Sequence, residues 1–509
     1  MKTQAALGGA QSRRVWRPAC VGLFLFAVGL AAHSAGVAQA AAPVRLSVPV
    51  LMVSDVHFDP FMGTDANTIA QLAQAPVANW DTIFAKGFIN QANWGNRFDT
   101  SYQLLQSSLA AVKTNAAGVR FVTLSGDLLA HQFDSQFYST CSNGKCGDLA
   151  SFAEKTIEYV LYELRQTVPH VPVYAALGNN DSPCSDYELT PGSAFLHAVG
   201  KTITADVPAG ERNQAEIDFS GEGYYSVTLP APMEHTRLLV VDDIFLADGY
   251  SPCPGGQPQP PAGEPAPLIG GPQIPWLKKQ LDAVRADKQD DAKAWVMGHI
   301  PSGVDPYKTV YKKLNVCGGT PPVMFLPSWD PGNPDGPDAL EAVMSGFGDV
   351  IPLAIFAHSH MDEVRLLRGA QAADPAVAMK MVPSISPYNG NNPSITIAMV
   401  DPATATLVDY RVIAASNKTG LNANWKKEYD FAETYGIAAG KAGLSAAALS
   451  QLIAGFSANT DPTQGALYRQ YYSTGGFGFL NAGNWHEYVC LMDHFAPGDF
   501  KKCTCATKH

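Results

Sequence analysis

The sequence predicts an α/β protein with a reactive site along one sheet edge, and two observations carry the prediction. Short β-branched or aliphatic runs alternate with helix-length patterns, and each run ends in residues able to do chemistry. Gly 45 and Pro 37 together make about one residue in six, a density of turns at odds with a helical bundle. In chain order, the run over 48–54 ends in Asp55, that over 121–125 in Gly126-Asp127, and that over 171–177 in Gly178-Asn179. Runs over 294–297 and 352–356 precede His299 and His358. Helical patterns over 102–113 and 150–167 lie between the early runs. Strands that deliver polar side chains at their carboxyl ends, with helices between them, gather those side chains at one edge.

Downstream the pattern changes. Hairpin-like strands are expected over 378–382, 395–400 and 406–413. From about residue 417 to 472 the chain is rich in Ala, Leu and Gln, with a helix-length segment over 445–456. This divides the chain into a catalytic domain over 41–415 and a helical, cysteine-containing subdomain over 416–509. Two stretches dense in Pro and Gly, 252–275 and 321–337, exclude regular helix and central strand.

The first 40 residues stand apart. They hold Lys2, Arg13, Arg14 and Arg17, no acidic residue, an apolar run over 19–32 and a closing Ala38-Gln39-Ala40. A basic start, a short apolar stretch and a small-residue end describe a secretory signal, with cleavage expected after Ala40. The apolar run is shorter than the ~20 residues of a spanning helix, and no transmembrane segment is expected elsewhere. The protein is therefore expected in the periplasm or outside the cell. Cys20 leaves with the leader, and Cys141, Cys146, Cys184, Cys253, Cys317, Cys490, Cys503 and Cys505 remain. An even number in an oxidising compartment favours disulfides. No pair of CxxC elements exists to build a zinc knuckle. Cys141 and Cys146, separated by Ser-Asn-Gly-Lys, are the best candidates for a local bridge.

Composition excludes further classes. A hydrophobic content of 46% with 16% charged residues excludes disorder. The chain has 35 Lys+Arg against 46 Asp+Glu; losing the leader's four basic residues takes the formal charge from −11 to −15. Such a surface repels duplex nucleic acid.

Five short motifs follow in order: Asp55-x-His57, Gly126-Asp127, Gly178-Asn179-Asn180-Asp181, Gly298-His299 and His358-x-His360. Each alone is common in strand ends and turns. All five together, each closing an apolar run, describe a constellation. Cleaving a phosphoester needs a strong nucleophile at neutral pH and neutralised charge on the phosphoryl oxygens. Two divalent ions about 3.5–4 Å apart supply both. Imidazole, carboxylate and one amide oxygen suit two ions of Zn, with Mn or Fe as alternatives, better than Mg or Ca.

This order of motifs resembles the calcineurin-like metallophosphoesterase superfamily, and within it the acid sphingomyelinase-like phosphodiesterases. Gly126-Asp127-Leu128-Leu129-Ala130-His131 resembles that branch's extended GD motif, and 383–393, with Tyr388, Asn389 and Asn392, its segment after HxH. The late aromatic residues Trp425, Tyr429 and Tyr435 with the terminal cysteines resemble its C-terminal subdomain. The resemblance spans about residues 45–509. It implies a four-layer α/β/β/α sandwich and two metal ions, one held by Asp55, His57 and His360, the other by Asn179, His299 and His358, with Asp127 bridging. It also implies in-line attack on phosphorus by a metal-bridging hydroxide, with His131 as leaving-group acid. Tyr388, Asn389 and Asn392 would line the substrate pocket, although a tight Pro/Asn/Gly turn explains them as well.

Two residues depart from the pattern. Asn180 stands where the family carries a His that helps protonate the leaving group, and an amide has no proton to give. The expectation is a heavier reliance on His131 or a substrate with a good leaving group. Ala357 stands where Gly is common before HxH, which requires only ordinary backbone at that point. The leader ends close to the first strand, leaving no room for a saposin-like lipid-presenting domain. The first expectation is therefore a small or lipid-derived phosphoester substrate. Sphingomyelin itself, polyphosphate, or a weakly active phosphate-ligand binding role on the same fold are the alternatives.

Overall fold

The computed structural model describes residues 47–506 except 88–96, 143, 256–270, 289–290, 326–335, 370, 372–373, 416–423, 438–442 and 478. The expected leader over 1–40 lies outside the described residues, as do most of the two Pro- and Gly-dense stretches.

Two six-stranded sheets are present among the described residues. The first runs β12-β11-β10-β1-β2-β3, from β1 (Val48–Val53), β2 (Val122–Ser125), β3 (Val173–Ala176), β10 (Ser394–Asp401), β11 (Thr406–Ala414) and β12 (Lys426–Asp430). The second runs β4-β5-β6-β7-β9-β8, from β4 (Tyr225–Thr228), β5 (Thr236–Val240), β6 (Lys293–Met297), β7 (Leu353–Phe356), β8 (Glu363–Leu367) and β9 (Val377–Met381). In each sheet the central strands are parallel: β1, β2 and β3 in one, β5, β6, β7 and β9 in the other. Strands covered on both faces read as continuous apolar runs, which is why β1, β2, β3, β6, β7 and β9 were legible, whereas β4 and β5 had not been read from the sequence.

The sheets meet face to face. The Trp295 ring lies 5.7 Å from Phe121 and its Nε1 donates to Ala405 O at 2.8 Å, while the Tyr225 hydroxyl donates to Ala175 O at 2.9 Å. Helices Tyr102–Asn115 and Leu149–Thr167 pack on the first sheet and Gln273–Ala286 on the second, completing the four layers. Residues Arg45–His509 form one compact unit.

Three features depart from the sequence reading. Helix Gln273–Ala286 begins inside the stretch read as excluding helix. Pro275 sits in its first turn, where N–H groups lack intrahelical partners, so the missing donor is tolerated. The segment read as helical contributes β12, whose sequence KKEYD has no apolar run and forms a sheet edge with exposed lysines. Strand β8 carries Glu363 and Arg365, both buried because they pair with each other at 2.7 Å.

All eight expected cysteines are paired: Cys141–Cys146, Cys184–Cys253, Cys317–Cys505 and Cys490–Cys503. The Cys317–Cys505 bridge spans 188 residues. Closing a loop that long removes about 5 kcal/mol of unfolded-chain entropy in the simplest treatment. Thermal scans with and without reductant are expected to show an unfolding midpoint lower by roughly 5–10 °C once the bridges open. An unchanged midpoint would mean that the bridges are not closed in solution.

Candidate metal centre

The carboxyl ends of the parallel strands of both sheets converge on one place. From β1 come Asp55 and His57, from β2 Gly126-Asp127, from β3 Gly178-Asn179, from β6 His299, and from β7 His358 and His360. Five of these side chains sit on backbone with positive φ: Asp55 (44°), His57 (43°), Asp127 (54°), His358 (67°) and His360 (66°). Non-glycine residues rarely adopt that conformation, and their clustering here is strain held in place by the surrounding sheets. Ala357 is absent from this group, as expected, and its N–H donates to His299 O at 2.8 Å.

The ring geometry fixes which nitrogen faces inward. His57 Nδ1 lies 2.9 Å from Leu129 O, and His299 Nδ1 lies 2.8 Å from Ser125 O, so each Nδ1 carries a proton and each Nε2 points into the site. Asp127 Oδ2 stands 3.2 Å from both of those Nε2 atoms. On one side, His57 Nε2 is 3.1 Å from His360 Nε2, which is 3.7 Å from Asp55 Oδ1. On the other, Asn179 Oδ1 lies 3.0 Å from His299 Nε2 and 2.8 Å from His358 Nδ1. The Asn179 amide nitrogen is committed to Asp186 at 2.7 Å, which turns its oxygen inward.

Most of these inward atoms are lone-pair donors facing one another. Asp55 is fully buried and neither of its carboxylate oxygens has a hydrogen-bond partner. A buried, unpartnered carboxylate is costly unless a cation joins it. The donor set therefore fits two ions sharing Asp127, and the inward atoms of Asp55, His57 and Asp127, and of Asp127, His299 and His358, form groups lying within 4.8 Å.

The metal-free protein meets this crowding with protons. Burial disfavours a charged His57, yet Asp127 outweighs it and lifts the pKa to about 9; the same balance takes His299 to about 10. Burial would raise Asp127, but the His299 and His57 cations hold it well below the carboxylate range. Burial and then the His299 charge press His358 down to about 3, and burial with His57 lowers His360 strongly.

Glycines allow this closeness. A Cβ on Gly178 would run into the carboxylate and N–H of Asp127, and one on Gly126 would lie 2.7 Å from His299 Nδ1. Gly178→Ala is therefore expected to displace Asp127 and to lower metal-dependent turnover at least ~10-fold, on the scale of a reacting group misplaced by an ångström. Steady-state kinetics at saturating metal checks this, and wild-type turnover would mean that the β3 end yields freely.

Of the remaining predicted residues, His131, Asn180, Tyr388 and Asn389 line a cavity of about 440 Å³ that opens on this centre. Asn180 does not aim at the open space. Its N–H and Nδ2 donate to the two oxygens of Asp127 at 2.8 and 2.9 Å, which places it as a support of that carboxylate instead of a proton donor. Asn392 is not part of the cavity wall; its Nδ2 donates to Thr474 O at 2.9 Å and ties the C-terminal segment to the loop. His131 is stacked between His57 and Tyr388, each 4.0 Å away.

Sequence reasoning missed Asp99, Asp186 and Asp243, and gave no role to Asp181 although it ends the Gly178–Asp181 motif. Asp99 accepts from His131 N at 2.8 Å and lies 2.9 Å from its Nδ1. Asp186 turns Asn179. Asp243 Oδ2 accepts from His299 N at 2.7 Å and Ile300 N at 2.9 Å, and Asp181 accepts from the N–H groups of Leu128, Leu129 and Gly178. Asp243 closes the run of β5 and was findable by the rule that found the others. Asp99 follows no such run and had no signal.

No family model matches the chain. Acid sphingomyelinase-like phosphodiesterase 3b of Mus musculus is 22% identical over 468 residues, 89% of this chain and 88% of its own. A sphingomyelinase phosphodiesterase C of Dictyostelium discoideum is 22% identical over 400 residues, 75% of this chain and 77% of its own. An endopolyphosphatase of Schizosaccharomyces pombe is 27% identical over 212 residues, 41% of this chain and 33% of its own.

Proposed function

We propose that this chain, a calcineurin-like metallophosphoesterase and metal-dependent phosphoester hydrolase of acid sphingomyelinase-like type, is an exported phosphodiesterase acting on a small or lipid-derived phosphodiester. The observation that carries the reading is Asp127 Oδ2 standing 3.2 Å from the inward nitrogens of both His57 and His299, at the floor of the cavity. Asp55, His57 and His360 would hold one ion and Asn179, His299 and His358 the other, with Asp127 shared. Zn is the first choice for this imidazole-rich set, with Mn or Fe as alternatives. When bound, such a pair supplies a strong nucleophile at neutral pH and neutralises the phosphoryl oxygens.

The chain's own residues do the rest. Asp99 holds His131 through Nδ1, leaving Nε2 as the atom that carries the proton for the departing oxygen. Asn180 holds Asp127 in place. Tyr388 covers His131 and Tyr187 approaches His358 at 3.3 Å, limiting water on either side. The wall carries Asp186, Asp248 and Asp305 against Lys308, which favours a diester with a neutral or cationic leaving group over polyphosphate. Sphingomyelin, named in several relatives, is the lipid candidate. Four disulfides support export.

The test is hydrolysis of bis-p-nitrophenyl phosphate by purified protein, before and after chelation and with Zn or Mn restored. Turnover should vanish on chelation and return with metal. Silence with every metal would leave a phosphate-ligand binding protein on the same fold.

A further inference from the structure

The rim of the cavity carries a short platform that catalysis does not account for. Residues Tyr307–Tyr311 form a single π-helical turn, and the chain stays exposed through Asn315. Tyr307 (51%), Tyr311 (42%) and Leu314 (46%) are among the exposed large hydrophobic side chains of the described residues, and Lys308, Lys312 and Lys313 are exposed between them. We propose that this platform docks the protein on an anionic lipid–water interface, with the cavity mouth turned toward the bilayer. The proposal rests on the reading of the cavity as a phosphoester site and adds where its substrate resides.

The platform is rigid where it meets the body. Thr309 and Val310 are buried, Asp305 Oδ1 accepts from the N–H groups of Tyr307 and Lys308 at 2.8 and 2.9 Å, and Cys317 is bridged to Cys505 just beyond. The tips that remain outside suit an interface. Tyrosine rings sit at headgroup level with an apolar body and a wet hydroxyl, and lysine stems lie along apolar surface with the ammonium reaching out. Lys312 Nζ already hovers 4.9 Å from the Tyr307 ring and 5.6 Å from that of Tyr311.

Charge selects the kind of surface. Lys308 is paired with Asp305 at 3.5 Å, but among the described residues neither Lys312 nor Lys313 has an acidic partner within 4.0 Å. In a chain of formal charge −11, Lys312 and Lys313 are thus exposed cations without an acidic partner among the described residues, and such a pair turns toward an anionic surface. Three separated apolar tips interleaved with cations are too little for the roughly 800 Å² per partner of a stable protein interface. The same residues Tyr307, Lys308 and Tyr311 also form a wall of the cavity, with Tyr311 edge-on to Phe479 at 4.4 Å, so a headgroup held at the platform is already at the entrance.

The test is co-sedimentation with vesicles of phosphatidylcholine alone or mixed with phosphatidylglycerol, alongside turnover of soluble bis-p-nitrophenyl phosphate. The full chain should partition onto the mixed vesicles and come off in high salt. Lys312→Glu with Lys313→Glu should weaken partition at least ~30-fold, since each lysine near such a surface is worth about fivefold. Soluble turnover should be unchanged, because neither side chain lines the cavity. Lys312→Gln with Lys313→Gln should give the smaller loss without introducing repulsion, and replaces the reversal if that variant is misfolded. No partition by wild type, equal partition onto phosphatidylcholine alone, or full partition by both variants would overturn the docking surface. Wild-type protein that binds the mixed vesicles but turns over no diester with any metal would instead overturn the catalytic reading.

Discussion

Asp55→Asn is expected to lower metal-dependent turnover on the order of 10³-fold while making the metal-free protein more stable. The carboxylate is fully buried with both oxygens unpartnered, and burial raises its pKa from 3.8 to about 6. A folded-state pKa above the unfolded value means that the folded chain prefers the protonated acid. Stability then falls as pH climbs from about 4 to about 6, and the full penalty is present above that range. Two pH units correspond to about 3 kcal/mol. Chelated wild type and variant should therefore unfold alike near pH 4, with the variant gaining stability toward pH 7. Adding Zn or Mn reverses the order, because only wild type keeps the Asp55 carboxylate beside Asp127 to hold one of the ions. Loss of one ion's ligand should cost several kcal/mol of barrier, on the order of 10³-fold in turnover. Melting curves at pH 4 and pH 7, with metal and with chelator, test both halves. A variant that melts below chelated wild type at pH 7 would show that Asp55 is satisfied without metal.

That opposition of signs explains how much of the molecule was legible beforehand. The parallel strands carry unbroken apolar runs because both faces are covered, and their ends carry the ligands because a doubly covered sheet leaves its strand ends as the place for polar chemistry. Strands β8 and β12 were invisible because a Glu363–Arg365 pair and an edge position, not apolar runs, make them strands. At the site, residue type gave the set of donors but not their orientation. Asn180 lies in a motif and still points back to Asp127, since its N–H and amide reach both carboxylate oxygens. Asn392 lies in a polar turn yet holds Thr474. The strained backbone at Asp55, His57, Asp127, His358 and His360 leaves no mark on the sequence, because it comes from the sheets that surround it.

His131→Ala should separate substrates by leaving group, and Asp99→Asn should do the same in weaker form. With Asn180 committed to Asp127, His131 is the predicted imidazole in the cavity that neither proposed ion takes, and the group suited to hand over a proton near neutrality. It is positioned on three sides: Asp99 at 2.9 Å from Nδ1, the His57 ring 4.0 Å away at 12°, and the Tyr388 ring 4.0 Å away at 18°. Asp99 is itself buried, accepts from His131 N, and receives the Ser386 hydroxyl at 3.1 Å, so it cannot swing to follow the imidazole. Removing a general acid costs about 10²–10⁴-fold when the departing oxygen is basic. For a p-nitrophenolate, which leaves without help, the loss should stay within about 10-fold. Asp99→Asn keeps one acceptor for Nδ1 but loses the charge and the second acceptor that the His131 N–H uses, so its effect should follow the same leaving-group trend at a fraction of the size. A plot of log turnover against leaving-group pKa, for wild type and both variants, gives the answer. Steeper slopes in the variants support the acid role. Parallel lines, with every diester slowed alike, would make His131 a support for His57 and leave the leaving oxygen to water.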